Sequence, residues 1–426
     1  MGHARPSTFL TRWVSPYGLA CASSLLFLIA FCFPPTLYSS LMDEPSYMFL
    51  DFGGLLLYVS CAAAFVLGVW LVGMLLPVES FVSERIEARL SPVAFLLIPL
   101  TIGLVLSVVS NVIVIRNNPG VLLLLFAQGG AEVKADLQLE GSLNLVNIFL
   151  IGIVWWATWR SDDLVLTQGQ RFQFKVVQYL ATASVIFSTM MKLGRGELMP
   201  ILTGIAIIYV LRKGRKEQLT SASLVKIGAL FGSLVLGCFL LFSYVRGTTD
   251  MSRDLVSYTI ASYNRSSALM SGKLSYPYAG HGIYLFSFLG FNNALNAVIP
   301  FREILNWPSF MDYWQSEFSA VTSAGLSDNA IWAGAFGYTY ADIGWGAPMF
   351  LLFEGVLCGF AWRSIKLGRP LGIILYPWCG FCILFWFGMN YLFDNKITML
   401  LVDAVILSIY EGVLVRHEKL VPVRAT

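Results

Sequence analysis

The sequence predicts an all-α polytopic membrane protein with about ten transmembrane helices and one large exterior loop. Three observations predict it. Hydrophobic residues make up 57% of the 426 residues and charged residues 12%, against about 45–50% and about 25% in soluble domains. Stretches such as 55–76 and 224–244 are apolar, nearly free of charge and long enough to cross a bilayer. Basic residues are also unevenly placed. With the N-terminus in the cytoplasm, 18 of the 28 lysines and arginines fall on the inner side, and the short loops divide 18 to 5, the bias of cytoplasmic loops. Composition excludes a disordered chain, a secreted disulfide scaffold and a cytosolic enzyme.

The first apolar run, 17–33, follows Arg5 and Arg12 and ends in Pro34-Pro35 without a small-x-small cleavage site, so it reads as a retained span. Spans are predicted at 17–36, 52–77, 92–115, 143–160, 174–192, 197–211, 224–245, 345–362, 371–389 and 397–415. The sixth is short and requires little tilt or thinned surroundings. Pro99, Pro200 and Pro377 are expected to kink their helices. Gly228-x-x-x-Gly232 and Gly355-x-x-x-Gly359 are small-residue patterns that let membrane helices approach closely. Residues 1–245 thus carry seven helices, 246–344 form the exterior loop, and 345–426 carry three more, with both termini cytoplasmic. Within the loop, 283–300 is apolar but holds Asn292, Asn293 and Asn296, and 331–340 is rich in aromatics and glycine. Both are expected to be interfacial or re-entrant helices rather than spans, as is 121–127.

The net charge of +3 gives no reason to expect nucleic acid as a partner. The basic cluster Arg212, Lys213, Arg215 and Lys216 ends a predicted span, where cytoplasmic charge belongs. All seven cysteines fall in apolar spans, so no exported disulfide framework is expected. Cys379-x-x-Cys382 lies in the apolar stretch 376–388 and reads as two packing residues. There is no Asp-x-Asp, histidine cluster or glycine-rich phosphate loop, and no cofactor is expected.

Candidate chemistry lies where charge meets the outer membrane edge. Lys192-Leu-Gly-Arg195-Gly-Glu197 connects two spans, and the helix that begins there turns its free N–H groups and positive dipole end outward. Arg246, Arg253 and Arg265 follow the seventh span, on the side where basic residues should be few. Arginine suits phosphate because its planar fork gives bidentate, permanently charged hydrogen bonds. The alternative is ion pairing with Asp250, Asp254 and Glu197, with interfacial snorkelling. His281, in Ala-Gly-His-Gly-Ile-Tyr, lies far from either terminus. It can serve as general acid or base, or simply sit in an interfacial turn. A lone histidine cannot build a zinc site. Glu197, Asp250 and Asp254 are the other candidate bases. Asp394 and Lys396 are placed to pair with each other. Outer-side aromatics such as Tyr258, Tyr263, Trp307 and Trp332 fit an interfacial belt and equally a glycan groove.

Lys192-Leu-Gly-Arg195-Gly-Glu197-Leu-Met-Pro, the loop opening Tyr244-Val-Arg246-Gly, Tyr263-Asn-Arg265 and Tyr278-Ala-Gly-His281-Gly-Ile-Tyr together resemble the bacterial oligosaccharide repeat-unit polymerases, the Wzy-type O-antigen and exopolysaccharide polymerases. The likeness covers most of the chain in topology and short segments in residues. It implies a GT-C-like, metal-independent membrane glycosyltransferase of the bacterial inner membrane, acting on undecaprenyl-pyrophosphate-linked glycans at the periplasmic face. It implies a polysaccharide chain-length regulator as a partner beside the lipid bilayer. Arg195, Arg246 and Arg265 are the positions that best match the family's essential arginines. On this basis Arg195, Glu197 and His281 are expected to be catalytic, and Lys192, Arg246, Arg253 and Arg265 to bind substrate. The nearest rival is the O-antigen ligase, which shares the donor chemistry. A lipid-linked sugar transporter or flippase is the rival of another class, and a membrane subunit without activity is a third.

Overall fold

The computed structural model describes residues 12–48, 52–76, 86–117, 119, 141–191, 195–216, 226, 228–229, 232–233, 237, 251–328 and 330–417. For 195–197, among others, the description extends to the backbone alone. The chain runs α1 (Pro16–Phe31), α2 (Pro35–Met42), α3 (Phe52–Leu75), β1 (Ile86–Ala88), α4 (Pro92–Asn117), α5 (Gly141–Arg160), α6 (Gln168–Met191) and α7 (Arg195–Lys216). It continues through α8 (Met251–Met270), α9 (Ser287–Phe291), α10 (Asn293–Val298), α11 (Phe301–Ile304), α12 (Phe310–Ser323) and α13 (Gly334–Ile343). A 3-10 turn, Gly344–Gly346, joins α13 to α14 (Ala347–Lys366), and α15 (Pro370–Leu384), α16 (Lys396–Leu414) and β2 (Val415–His417) close the chain.

Among the described residues five helical stretches are long and apolar enough to cross a membrane: α3, α4, α6, α13 through α14, and α16. The pair α1 and α2 makes a sixth if counted as one span, although it bends by 89°. That bend falls at Pro34-Pro35, where two residues lack the N–H that would continue the ladder. This architecture fits a polytopic helical membrane protein. Helices occupy every predicted span except 224–245, which lies largely outside the described residues, as does 121–127. α15 is shorter than a bilayer is thick: its 15 residues rise about 22 Å against a hydrocarbon core of about 30 Å.

Two features differ from the sequence expectation. Residues 331–340 do not form a separate interfacial segment, because most of that stretch belongs to α13, which is largely buried and leads directly into α14. The stretch opening the exterior loop is also no open surface. It holds the 20-residue α8, packed against α1, α2, α3 and α13. Its sequence hides this because its buried face is built of serine, tyrosine, asparagine and arginine as well as alanine and isoleucine.

Helix pairing follows the small residues. α3 and α14 cross where Gly68 faces Leu352 and Gly355 faces Phe65. A Cβ on either glycine would lie closer than 3.0 Å to the partner's backbone. Gly359, four residues on, faces Val72, so the Gly355-x-x-x-Gly359 pattern is a packing seam. Among the described residues, Gly228 and Gly232 meet no neighbour within 4 Å. A polar seam joins α4, α5 and α6. Ser107 Oγ lies 2.7 Å from Asn147 Oδ1 and 2.8 Å from Ser184 Oγ, and Asn147 Nδ2 donates to Ser188 at 2.6 Å.

The two ends of the bundle are built differently. At the base end, Arg160 donates from Nε and Nη2 to Glu411 at 2.6 Å, from Nη1 to Asp163 at 3.1 Å and from Nη2 to the Gly368 carbonyl at 2.7 Å. Arg212 pairs with Asp162 beside it, and β1 and β2 form a short antiparallel ribbon with Ile86 opposite His417. At the opposite end, residues from α8 to α13 form a cap with its own apolar core, containing Tyr276, Tyr284, Trp307, Tyr313 and Tyr338.

Candidate functional site

The cap is held by one buried ion pair. α8 carries Arg265 inward, and the chain after α2 brings Glu44 to meet it. Arg265 is 0% exposed. Its Nη1 and Nη2 grip the two Glu44 oxygens at 2.5 and 2.7 Å. Nε donates to the Ala330 carbonyl at 2.5 Å, Nη2 also to Ser327 O at 2.8 Å, and Nη1 also to Tyr38 Oη and Ala261 O. Glu44 in turn accepts from Ser327 N, Asn264 Nδ2 and the Tyr38 hydroxyl. All five guanidinium N–H groups are used inside the fold. Arg265, expected to bind substrate, here ties α2, α8 and the 327–330 segment together with its donors turned inward. Its partner is Glu44; of the acids offered as alternative partners for the arginines, Asp250 lies outside the described residues and Asp254 and Glu197 are described in backbone only.

His281 is placed differently. It stands exposed on the loop 278–285. Gly280 and Gly282 on either side have φ of +85° and +74°, a region that a side chain rarely tolerates. The loop wraps the carboxylate of Asp342 on α13. Gly280 N and Gly282 N donate to Oδ1 at 3.1 and 3.2 Å, and Tyr284 N and Leu285 N to Oδ2 at 2.8 and 3.1 Å. Trp307 Nε1 adds a bond to the His281 carbonyl at 3.0 Å. The backbone is thus fixed while the imidazole faces outward.

The remaining candidates are less defined. Helix α7 begins at Arg195, so its amino end lies opposite the base end marked by Arg212, as the sequence implied. Arg195 and Glu197 are described in backbone only, and Lys192 and Arg246 lie outside the described residues. Arg253 is half-buried on α8 and reaches toward the Met42 carbonyl at 3.5 Å. Asp394 and Lys396 pair at 2.7 Å, as expected. Among the described residues no group of histidines, cysteines and carboxylates is arranged to hold a metal ion. Comparison with protein-family models, curated proteins and solved structures finds no match to this chain.

Several buried carboxyls escaped the sequence reading or were given little weight in it. Glu317 sits under the cap, accepts from Tyr313 Oη at 3.0 Å and lies among the rings of Tyr276, Tyr284, Tyr313 and Tyr338. Burial pushes its carboxyl up to about 8, only partly countered by the tyrosine hydroxyls. Glu354 on α14 is buried and accepts from Asn390 Nδ2 at 2.6 Å, beside a narrow cleft that Phe65, Cys358, Cys382 and Tyr391 also line. Asn390 belongs to the non-helical tip joining α15 to α16, tucked under the cap by Phe288 N donating to Phe393 O and Ala335 N to Trp386 O. Asp403, on α16, is buried without any hydrogen-bond partner among the described residues. One signal was legible for Glu44: the first outer loop holds Asp43, Glu44 and Asp51 with no lysine or arginine, a complement to the surplus arginines after the seventh span.

Proposed function

We propose that this protein polymerises undecaprenyl-pyrophosphate-linked oligosaccharide repeat units at the periplasmic face of the bacterial inner membrane, without a metal. The observation that carries the reading is the loop of His281: an exposed imidazole on a backbone pinned to Asp342, on a cap braced by Arg265 and Glu44. A prepositioned group of this kind suits proton transfer at a bilayer surface. The resemblance of the Lys192–Glu197 turn to the polymerase hairpin supplies the substrate class, and the amino end of α7 supplies an anion-favouring terminus beside Arg195.

In this reading an acceptor hydroxyl on one lipid-linked unit attacks the anomeric carbon of another. The new C–O bond forms as the bond to pyrophosphate breaks, and the lipid pyrophosphate leaves with the electron pair. Arg195, Arg246 and the α7 terminus stabilise the charge that develops on it. His281 or Glu197 takes the hydroxyl proton. Arg265 and Glu44 hold the platform and touch neither substrate.

A second reading, a transporter of lipid-linked sugars, is favoured by Glu354 with Asn390 in the interrupted α15–α16 hairpin and by Asp403 within α16. Transporters place polar groups and broken helices at membrane depth. The two readings separate in a deletion strain complemented with wild type, Arg195→Ala or His281→Ala, with surface glycan and membrane protein both measured. The polymerase reading predicts that both variants insert normally yet leave a single attached repeat unit without a ladder. Loss of every attached unit with lipid-linked polymer accumulating indicates a ligase. A normal ladder from well-expressed variants overturns the assignment of these residues, and an unchanged profile in the deletion strain itself overturns the polymerase.

A further inference from the structure

Asp403 is the eighth of the 19 residues of α16, which puts it about 10 Å from the amino end and about 16 Å from the carboxyl end of that helix. It is 0% exposed, and neither carboxylate oxygen has a hydrogen-bond partner among the described residues. α5, α15 and α9 pack against α16, and α4, whose one charged side chain is the exposed Arg116, meets it where Phe95 stacks on Tyr410. Of these, α9 carries no titratable side chain, α15 contributes only Tyr376, Cys379 and Cys382, and the one charged side chain of α5 is Arg160. Arg160 is already committed to Glu411, Asp163 and the Gly368 carbonyl. On α16 itself Lys396 is held by Asp394, Glu411 by Arg160, and the Tyr410 hydroxyl donates to Phe95 O at 3.1 Å. Among the described residues no cation or donor is left to offset a negative charge on Asp403. An isolated carboxylate in an apolar interior is untenable, whereas the neutral acid is tolerated.

The surroundings mark a route as well as a site. Gly152, Trp156 and Arg160 are spaced by four and form one row on α5. Asp403 lies against Gly152, where even a Cβ would collide with its Oδ2. Two turns toward the base end, Glu411 accepts from both Trp156 Nε1 and Arg160. One seam between α5 and α16 therefore joins the base-end ion-pair network to a carboxyl deep in the bundle. Trp155 Nε1 on α5, Thr203 Oγ1 on α7 and Trp378 Nε1 on α15 are also buried without a partner among the described residues. Trp155 lies against Gly204, the residue after Thr203.

We propose that Asp403 is an intramembrane proton-binding site, loaded and emptied along the α5–α16 seam from the base end of the bundle. The ligand is the proton itself, and the inference is independent of which lipid-linked substrate the protein handles.

Infrared difference spectroscopy on the full-length protein in liposomes tests it, because it reads protonation without needing a reagent to reach the site. Wild type minus Asp403→Asn at neutral pH should show the carbonyl stretch of one protonated carboxylic acid. That band should shift within minutes of transfer to deuterated buffer, and Trp156→Phe should slow the shift several-fold while leaving the band in place. Dicyclohexylcarbodiimide, which adds across a protonated carboxyl in apolar surroundings, should label Asp403 in the wild type. Carboxylate bands in place of the acid band overturn the proposal. An acid band that fails to exchange in deuterated buffer also overturns it, leaving a static buried acid.

Discussion

At the scale of single residues, burial decides what charge does. Arg265 lies in a segment that resembles a substrate-binding motif, yet its five donors are consumed by Glu44, Tyr38 and three carbonyls. Sequence shows an arginine at an outer edge; it does not show that a glutamate 221 residues away is folded onto it. Removing one member of such a pair strands the other, at a cost of about 3–5 kcal/mol. Arg265→Ala is therefore expected to lower the amount of folded protein in the membrane, as read by fluorescence-detected size exclusion. Arg265→Met with Glu44→Gln should recover part of it. Glu317 makes a prediction of opposite sign to the usual acid. Its carboxyl titrates near 4.5 when solvated and near 8 when folded, so between those values the folded state holds the extra proton. Stability should fall as pH rises through that window and level off above it. Glu317→Gln should flatten the dependence, which melting temperatures across the window would check.

At the scale of elements, the sequence was most legible where apolar length and small-residue spacing set the structure. The helices α3, α4, α6, α14 and α16 coincide with predicted spans, and Gly355 and Gly359 lie at the α3–α14 crossing. Legibility failed in the 246–344 stretch. There α8 is buried through polar partners, and hydropathy alone cannot tell a polar helix packed in a protein from one facing water. The same limit hid Asp403, a single acid in an apolar span whose isolation depends on what three other helices bring to it. Packing at the crossing is testable. Gly355→Ala puts a methyl group against the Phe65 backbone, and relieving that overlap should cost about 1–3 kcal/mol. A lower melting temperature of the purified protein would check this, whereas Gly169→Ala, where a Cβ meets nothing within 4 Å, should leave it unchanged.

At the scale of the whole molecule, the described residues form a bundle with an ion-paired base, an interior that holds the buried carboxyls of Glu354 and Asp403, and a cap that exposes His281. The base pairs Arg160 with Glu411 and Arg212 with Asp162, consistent with both ion pairs lying on the side the charge bias assigns to the cytoplasm. In the proposed reading the cap faces the periplasm, where lipid-linked repeat units are joined. If His281 transfers the proton, His281→Ala should lower turnover by about 10²–10⁴-fold with folded protein unchanged. Asp342→Ala should release the loop and lower turnover through geometry, with a raised KM as well as a lower kcat. The most direct measurement is chain extension by the purified protein in liposomes, supplied with lipid-pyrophosphate-linked repeat units and no other enzyme. The account predicts a ladder of polymer from wild type and none from Arg195→Ala or His281→Ala. Translocation of the lipid-linked unit across the liposome membrane without any ladder would contradict it.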